Sequence, residues 1–311
     1  MVSVIMLTYN REAFVGRAIE SILAQTDPDF EFIIVDNGST DHSGKIADGY
    51  AAKDRRIRVI HQERGSIGAG RNAGLDMARG DYIAFFDDDD WVEPDYLAFL
   101  LALAEGNNAD VAICGTPDKS FDVKQTMGAE EALFELLQRK KFNVGFPTKL
   151  IRRELFRDCR FSEASRFDDI YLMPNILGCA GRVAYHGLPK YHVVRHAGNN
   201  SAWTTNYALM TPEIIAEYLK VYEDRTEWLC KNFPDNGPAW QYFEWSFMIS
   251  MVEKITRLKC PGCDALKKSM TSILRKNRDA FYHSVHITDF EKEWLDKFIM
   301  RESEDEHLGY N

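Results

Sequence analysis

The 311-residue chain predicts an α/β fold: a mostly parallel sheet with helices on both faces, followed by a helical region. Three features carry this. Short apolar runs rich in branched residues alternate with helix-period segments through the first half, the signature of βαβ units. Polar stretches follow those runs at 8–10, 36–41 and 87–91. These are the carboxyl ends of the expected strands, where open α/β sheets bind ligands. After about residue 205 only helical periodicity remains, so the expected division is 1–205 and 206–311.

Each element has a local reason. "VSVIML" (2–7) is short, continuous and branched, as a buried strand is. Asn10 is a candidate cap for the helix-period segment "AFVGRAIESILAQ". "FEFIIVD" (30–36) is the second strand, and "NGSTDHSG" after it is turn-rich. "IRVIHQ" (57–62) is the third, with a helix opening at "GAGRNAGLDMA". "DYIAFF" (81–86) is the fourth, followed by "EPDYLAFLLALAE" with Pro94 expected in the first helical turn. "ADVAIC" (109–114) is the fifth. The polar segment 117–128 reads as a lid or insertion. Helices are expected at 212–233, 241–258 and 264–281, their aromatic stripes forming core or a face for an acceptor or a membrane surface.

Composition narrows the function. Hydrophobic residues make up 45% of the chain and the net charge is −10, which suits a globular protein and argues against nucleic acid as a partner. The six cysteines are scattered, so reduced thiols are expected, and "CPGC" (260–263) reads as a turn. No signal peptide is visible, and "YLAFLLALA" is about half a membrane span. The expected setting is cytoplasmic, at most peripheral at the inner face of a membrane.

The chemistry concentrates in "FFDDDDW" (85–91), where Asp87, Asp88, Asp89 and Asp90 leave a strand together. Two carboxylates about 4 Å apart repel by roughly 4 kcal/mol at an effective dielectric near 20. A hard divalent cation, Mg2+ or Mn2+, would offset this and commonly shares its shell with substrate phosphates. Asp36 ends the second strand, where it can accept a nucleobase N–H. Tyr9 can stack on a base. Arg71 and Asn72 stand where a glycine-rich loop enters a helix, a place for phosphate or base contacts. "GSIGAGRNAG" is not a dinucleotide fingerprint: its spacing is Gly68-x-Gly70-x-x-x-Gly74 and it follows the third strand.

With these residues in view, the chain resembles the family 2 inverting glycosyltransferases, which have the Rossmann-like GT-A fold. The likeness rests on "VSVIMLTYNRE", "FEFIIVDNGSTD", "GAGRNAGLDMARGDYIAFFDDDDWVEP", "PTKLIRRELF", "FDDIYLMP" and "RHAGNNSA", spanning about 2–205. It implies that Thr8, Tyr9, Asp36 and Arg71 hold the nucleoside of a nucleotide-sugar. It makes Asp87 and Asp89 the metal-binding Asp-x-Asp, with Asp89 the direct ligand. Asp88 and Asp90 would meet the donor sugar or ribose, and Asp169 would be the catalytic base. Arg195, His192 and His196 would contact the diphosphate or the metal. Leu7 replaces the usual proline and Asp168 the usual glutamate. The Tyr-rich segment that normally precedes the arginine reads "YHVVR", and the gap from Arg195 to Ser201 is one residue longer than the family pattern.

The resemblance implies transfer of a sugar, with inversion, from a nucleotide-sugar (UDP favoured) to a hydroxyl of a glycan or lipid-linked acceptor in surface polysaccharide synthesis. A nucleotidyltransferase would show a glycine-rich basic loop after the first strand, whereas "TYNREAF" stands here. A degenerate transferase that only binds would not need Asp87, Asp89 and Asp169 intact.

Overall fold

The computed structural model describes residues 1–196, 198–199 and 210–300. The chain divides into two compact units, Met1–Arg195 and His196–Asn311.

The first unit runs β1 (Val2–Thr8), α1 (Val15–Leu23), β2 (Phe30–Asp36), α2 (Ser43–Ala51), β3 (Ile57–His61), α3 (Ile67–Met77), β4 (Tyr82–Asp87) and β5 (Trp91–Val92). It continues with α4 (Tyr96–Gly106), β6 (Val111–Gly115), β7 (Phe121–Met127), α5 (Ala129–Gln138), β8 (Lys149–Arg152), α6 (Asp168–Cys179), β9 (Val183–Pro189) and β10 (Tyr191–His192). Eight strands form one sheet in the order β3-β2-β1-β4-β8-β6-β9-β7, and β5 pairs with β10 separately. β1 is parallel to both β2 and β4, so the order reverses at β1 and opens a crevice at its carboxyl end. Register fixes what lines that crevice: Thr8 pairs with Asp36, and Leu7 with Asp87.

Alternation along β1 explains the two layers. Val2, Val4 and Met6 join a core with Val15, Ala18, Ile19 and Ile22 of α1 and with Leu97 and Leu100 of α4. Ile5 and Leu7 face α3. An added Cβ at Gly70 would lie 2.2 Å from Leu7 Cδ1, and one at Gly74 would lie 2.4 Å from Ile5 Cγ2. The glycines of "GAGRNAG" are therefore a packing device that brings α3 down onto the sheet, and Leu7 fills that contact.

The structure differs from expectation at several points, among them the strand β9 and the helices α5 and α6, which the sequence reading did not mark. Asn10 does not cap α1; it sits at φ 51°, and its Oδ1 accepts from Thr40 N at 2.8 Å, tying the β1 loop to the β2 loop. Pro94 precedes α4 rather than opening it. Residues 121–127, expected in a lid, are the edge strand β7, antiparallel to β9, and their polarity is that of an edge. β8, only four residues long, runs antiparallel between β4 and β6.

In the second unit, α7 (Pro212–Asn232), α8 (Gly237–Leu258), α9 (Asp264–Lys276), α10 (Arg278–Tyr282) and α11 (Asp289–Trp294) surround a core that includes Tyr242, Trp245, Ile249, Val252, Met270 and Leu274. The 260–263 segment is a turn between α8 and α9, with Gly262 at φ 73°. No described helix is long and apolar enough to cross a membrane.

The packing of α3 gives a paired prediction. A Cβ at Gly68 would lie 2.1 Å from the carbonyl oxygen of Ser162, which is backbone, whereas a Cβ at Gly49 in α2 meets nothing within 4 Å. Urea unfolding should show Gly68→Ala destabilised by about 1–3 kcal/mol and Gly49→Ala stabilised by about 0.5–1 kcal/mol.

Candidate active site

The carboxyl edge of β1, β2 and β4 carries Thr8, Asp36 and Asp87 on neighbouring strands, roughly 5 Å apart. Asp36 is buried. Its Oδ1 accepts from Ser39 N at 3.0 Å, and its Oδ2 lies 3.0 Å from His61 Nδ1. The other nitrogen of His61 lies 3.0 Å from Asp48, and the two carboxylates, Asp36 first, raise the pKa of His61. Each oxygen of Asp36 keeps a second lone pair for an N–H donor. Tyr9 carries the guanidinium of Arg64 over its ring at 4.0 Å, and its hydroxyl accepts from Arg64.

The acidic loop leaves β4 on a turn, Asp90 N donating to Asp87 O at 3.3 Å. Arg11 Nε lies 3.6 Å from Asp88 Oδ1 and 3.9 Å from Asp89 Oδ2, while Arg17 donates to the backbone oxygen of Asp89 at 2.7 Å. Asp90 is 2% exposed and holds the loop from beneath: Tyr191 OH donates to it at 2.7 Å and Val194 N at 2.7 Å. It is an anchor, not a contact open to a sugar or ribose. Burial pushes Asp88 and Asp90 up to about 7, with neighbouring aspartates adding in the same direction. Asp87 shifts upward too, through its enclosure and the charges of Asp89 and Asp169 against that of Arg71. Some 48% of its side chain still meets solvent, so water screens the effect.

Arg71 joins the two acidic groups. It projects from α3 past the rings of Phe85, Phe146 and Phe161, 5.2–5.9 Å from their centroids. Nη2 lies 3.9 Å from Asp87 Oδ1 and Nη1 lies 3.8 Å from Asp168 Oδ1. Asp168 and Asp169 open α6, where the helix dipole favours anions. Asp168 is buried, its Oδ2 has no hydrogen-bond partner, and burial raises it to about 6. Burial raises Asp169 as well, with Arg71 opposing. Thus Thr8, Asp36, Arg71, Asp87, Asp88, Asp89, Asp168 and Asp169 share one edge of the sheet.

Other predicted residues go elsewhere. Asn72 is not turned to a ligand: Nδ2 donates to Phe161 O at 3.0 Å and Oδ1 accepts from Phe161 N at 3.1 Å, fastening α3 to the following segment. His192 stacks on Trp91 at 3.6 Å between centroids, its Nε2 2.7 Å from Glu93. The guanidinium of Arg195 lies 3.5 Å from Asp118, with both side chains exposed. His196 begins the second unit, and residues 197 and 200–202 of "RHAGNNSA" lie outside the described residues.

Sequence reading missed Arg11, Arg17, Arg64 and His61, although the cation directly after "TYN" was a signal for Arg11. It also missed Lys149 on β8. This lysine is fully buried, donates to Gly145 O at 2.5 Å and to Thr148 Oγ1 at 3.3 Å, and is pushed down to about 7 by burial. Nothing in "PTKL" marks it as an inward-pointing lysine.

The oxygen donors suit Mg2+ or Mn2+. Among the described residues no three His, Cys, Asp or Glu side chains form a ligand group, so further ligands would have to come from the substrate. Such sharing is the ordinary mode of these ions with phosphate substrates.

A profile of glycosyl transferase family 2 matches residues 3–162, just over half of the chain. The chain belongs to this family. EpsH of Bacillus subtilis (strain 168) is 36% identical over 210 residues, 63% of this chain and 61% of EpsH, so the chain spans less than two thirds of that relative. Among solved structures, S. aureus TarS 1-349 in complex with UDP-GlcNAc superposes with a TM-score of 0.60 at 18% identity, covering 100% of this chain and 93% of that one. The mannosyltransferase PcManGT from Pyrobaculum calidifontis, in complex with GDP-Man and Mn2+, gives a TM-score of 0.52 at 15% identity, covering 100% and 88%. At such identities the likeness establishes the fold, which is GT-A.

The acidic loop makes stability depend on pH. Asp88 titrates at about 7 in the folded chain against an ordinary value of 3.8, so the folded state favours its protonated form. Its contribution is complete below 3.8 and is lost as pH rises through about 7. In metal-free buffer, the Tm advantage of Asp88→Asn over the native chain should grow between about pH 4 and pH 7 and then level off. A margin that stays constant across this range would contradict the assignment.

Proposed function

We propose that the site transfers a sugar, with inversion, from a nucleotide-sugar, a UDP-sugar first, to a hydroxyl of a glycan or lipid-linked acceptor in surface polysaccharide synthesis. The observation that carries the reading is Arg71, whose guanidinium faces both the Asp-x-Asp loop and the carboxylate pair that opens α6.

Each residue has a task. Tyr9 offers a ring for the base and Asp36 an acceptor for its N–H, a pattern that suits uracil. Asp89, with Asp87, would hold Mg2+ or Mn2+, which when bound supplies a Lewis acid for the departing diphosphate. Arg71 holds the donor end and the base end of the crevice at a fixed separation. Asp169 accepts the proton of the attacking hydroxyl, and its raised pKa brings it nearer to neutrality, where a general base is most effective. One base opposite the leaving group gives a single displacement, hence inversion. The nucleotide-sugars bound by TarS and PcManGT support a donor of this class, and the Mn2+ of the latter supports a divalent ion.

The test is turnover on a panel of UDP-sugars with Mn2+. Asp169→Asn should retain UDP affinity and lose about 10²–10⁴-fold in kcat, and the native product should carry the inverted anomeric configuration by NMR. Equal turnover in the variant, or retained configuration, would overturn the reading.

A further inference from the structure

The end of the crevice assigned to the base holds a charge pattern that the transfer chemistry leaves unused. His61 ends β3 and pairs in register with Asp36 at the end of β2, so the two side chains stand on one face of the sheet. Nδ1 of the ring lies 3.0 Å from Asp36 Oδ2, and Nε2 lies 3.0 Å from Asp48 Oδ1 on α2. An ionised carboxylate accepts hydrogen bonds and cannot donate them. While both carboxylates are ionised, both ring nitrogens must donate, and only the doubly protonated imidazolium does so. Asp36 and Asp48 are the charged groups that bear on the ring, and both favour its protonated form. The His61 side chain is half exposed, so its proton exchanges with the buffer.

The ring also fixes Asp36 in place. Oδ1 of Asp36 accepts from Ser39 N at 3.0 Å and Oδ2 faces His61, so each oxygen has one anchor. Gly44, in the first turn of α2, closes a further side. An added Cβ there would lie 2.3 Å from Asp36 Oδ2 and 3.2 Å from His61 Cε1. The buried carboxylate thus has little freedom, and each oxygen keeps one lone pair for a ligand. An acceptor held this way distinguishes a ring N–H from a ring nitrogen with a lone pair. Uracil presents the first at N3 and cytosine the second, and two facing acceptors leave both unpaired. A neutral His61 has one N–H to share between two carboxylates. When that N–H goes to Asp48, Asp36 loses an anchor and faces a lone pair instead.

We propose that His61 is a positioning residue for base recognition: as the imidazolium it aims Asp36 at a pyrimidine N3–H, and loss of its charge weakens the preference for uracil over cytosine. The inference deepens the UDP-sugar reading and rests on it. Asp48 is the second half of the device, because its charge calls for the second ring proton. With asparagine at position 48 the amide can donate to Nε2, and a neutral ring keeps its Nδ1–H on Asp36. The preference would then stay while its dependence on pH disappeared. In the sheet β3 is separated from β4 and its acidic loop by β2 and β1.

The test is calorimetric titration of the native chain, His61→Phe and Asp48→Asn with UDP and with CDP in Mn2+, between about pH 6 and pH 8.5, with the His61 ring followed by NMR. The two nucleotides share ribose, diphosphate and ion, so the ratio of their affinities removes the titration of the acidic loop and isolates the base. The native chain should prefer UDP by more than about tenfold at the acid end. The preference should shrink as the NMR signal reports loss of the ring's charge, a titration that the two carboxylates move above 6.5. His61→Phe should lower the preference about tenfold at the acid end. Asp48→Asn, at a side chain 55% exposed, should keep it and flatten its pH profile. A ratio indifferent to His61→Phe, one that does not follow the ring's charge, or a pH profile that survives Asp48→Asn would overturn the inference alone. UDP bound no better than CDP would overturn it as well, by removing Asp36 from base recognition. A native chain that binds neither nucleotide would overturn the donor reading beneath it.

Discussion

The crevice is an electrostatic problem with an incomplete internal solution. Asp87 to Asp90, Asp168 and Asp169 gather at the carboxyl edge of the sheet, and burial raises the pKa of five of them, Asp87, Asp88, Asp90, Asp168 and Asp169. Arg71 stands 3.8–3.9 Å from Asp87 and Asp168, beyond hydrogen-bond length. Its attraction does not offset the burial that raises the pKa of both. Under the proposed function, a divalent ion and the diphosphate it accompanies would relieve the remaining imbalance. Concentrating negative charge before the substrate arrives costs stability, and the rest of the fold supplies it.

That supply is visible in the packing around Arg71. α3 can lie close enough to aim it because Gly70 and Gly74 take up Leu7 and Ile5 without a Cβ between them. Phe85, Phe146 and Phe161 flank the guanidinium and limit its directions, and Asn72 pins the segment that bears Phe161. Beneath the acidic loop, Tyr191 plays the matching part for Asp90, held by the short β5–β10 pair. The residues proposed for chemistry therefore rest on others to which no chemistry is assigned.

How legible this was in the sequence depends on the kind of interaction. The central parallel strands are continuous runs of Val, Ile and Phe, so β1, β2, β4 and β6 stood out, and the helices of the second unit showed through their stripes. β7 did not, because an edge strand carries polar residues on both faces, and β8 is too short to show a period. Strand ends were readable because polarity changes abruptly there, which is why Asp36 and the Asp87–Asp90 run were found. Contacts made across long stretches of chain were not readable. Asp90 looked like its neighbours until Tyr191, 101 residues later, was seen beneath it. Asn10 looked like a cap until Thr40 claimed its oxygen, and Lys149 looked like any lysine.

The most direct test of the central claim is calorimetric titration of the native chain with UDP, with and without Mn2+, together with Mn2+ alone. Uptake of Mn2+ alone should be weak, because the described residues offer no closed ligand set. Nucleotide binding should be strong only when the ion is present. UDP binding of equal strength in chelator would contradict it, since the carboxylates at the sheet edge would then repel the diphosphate with nothing to compensate.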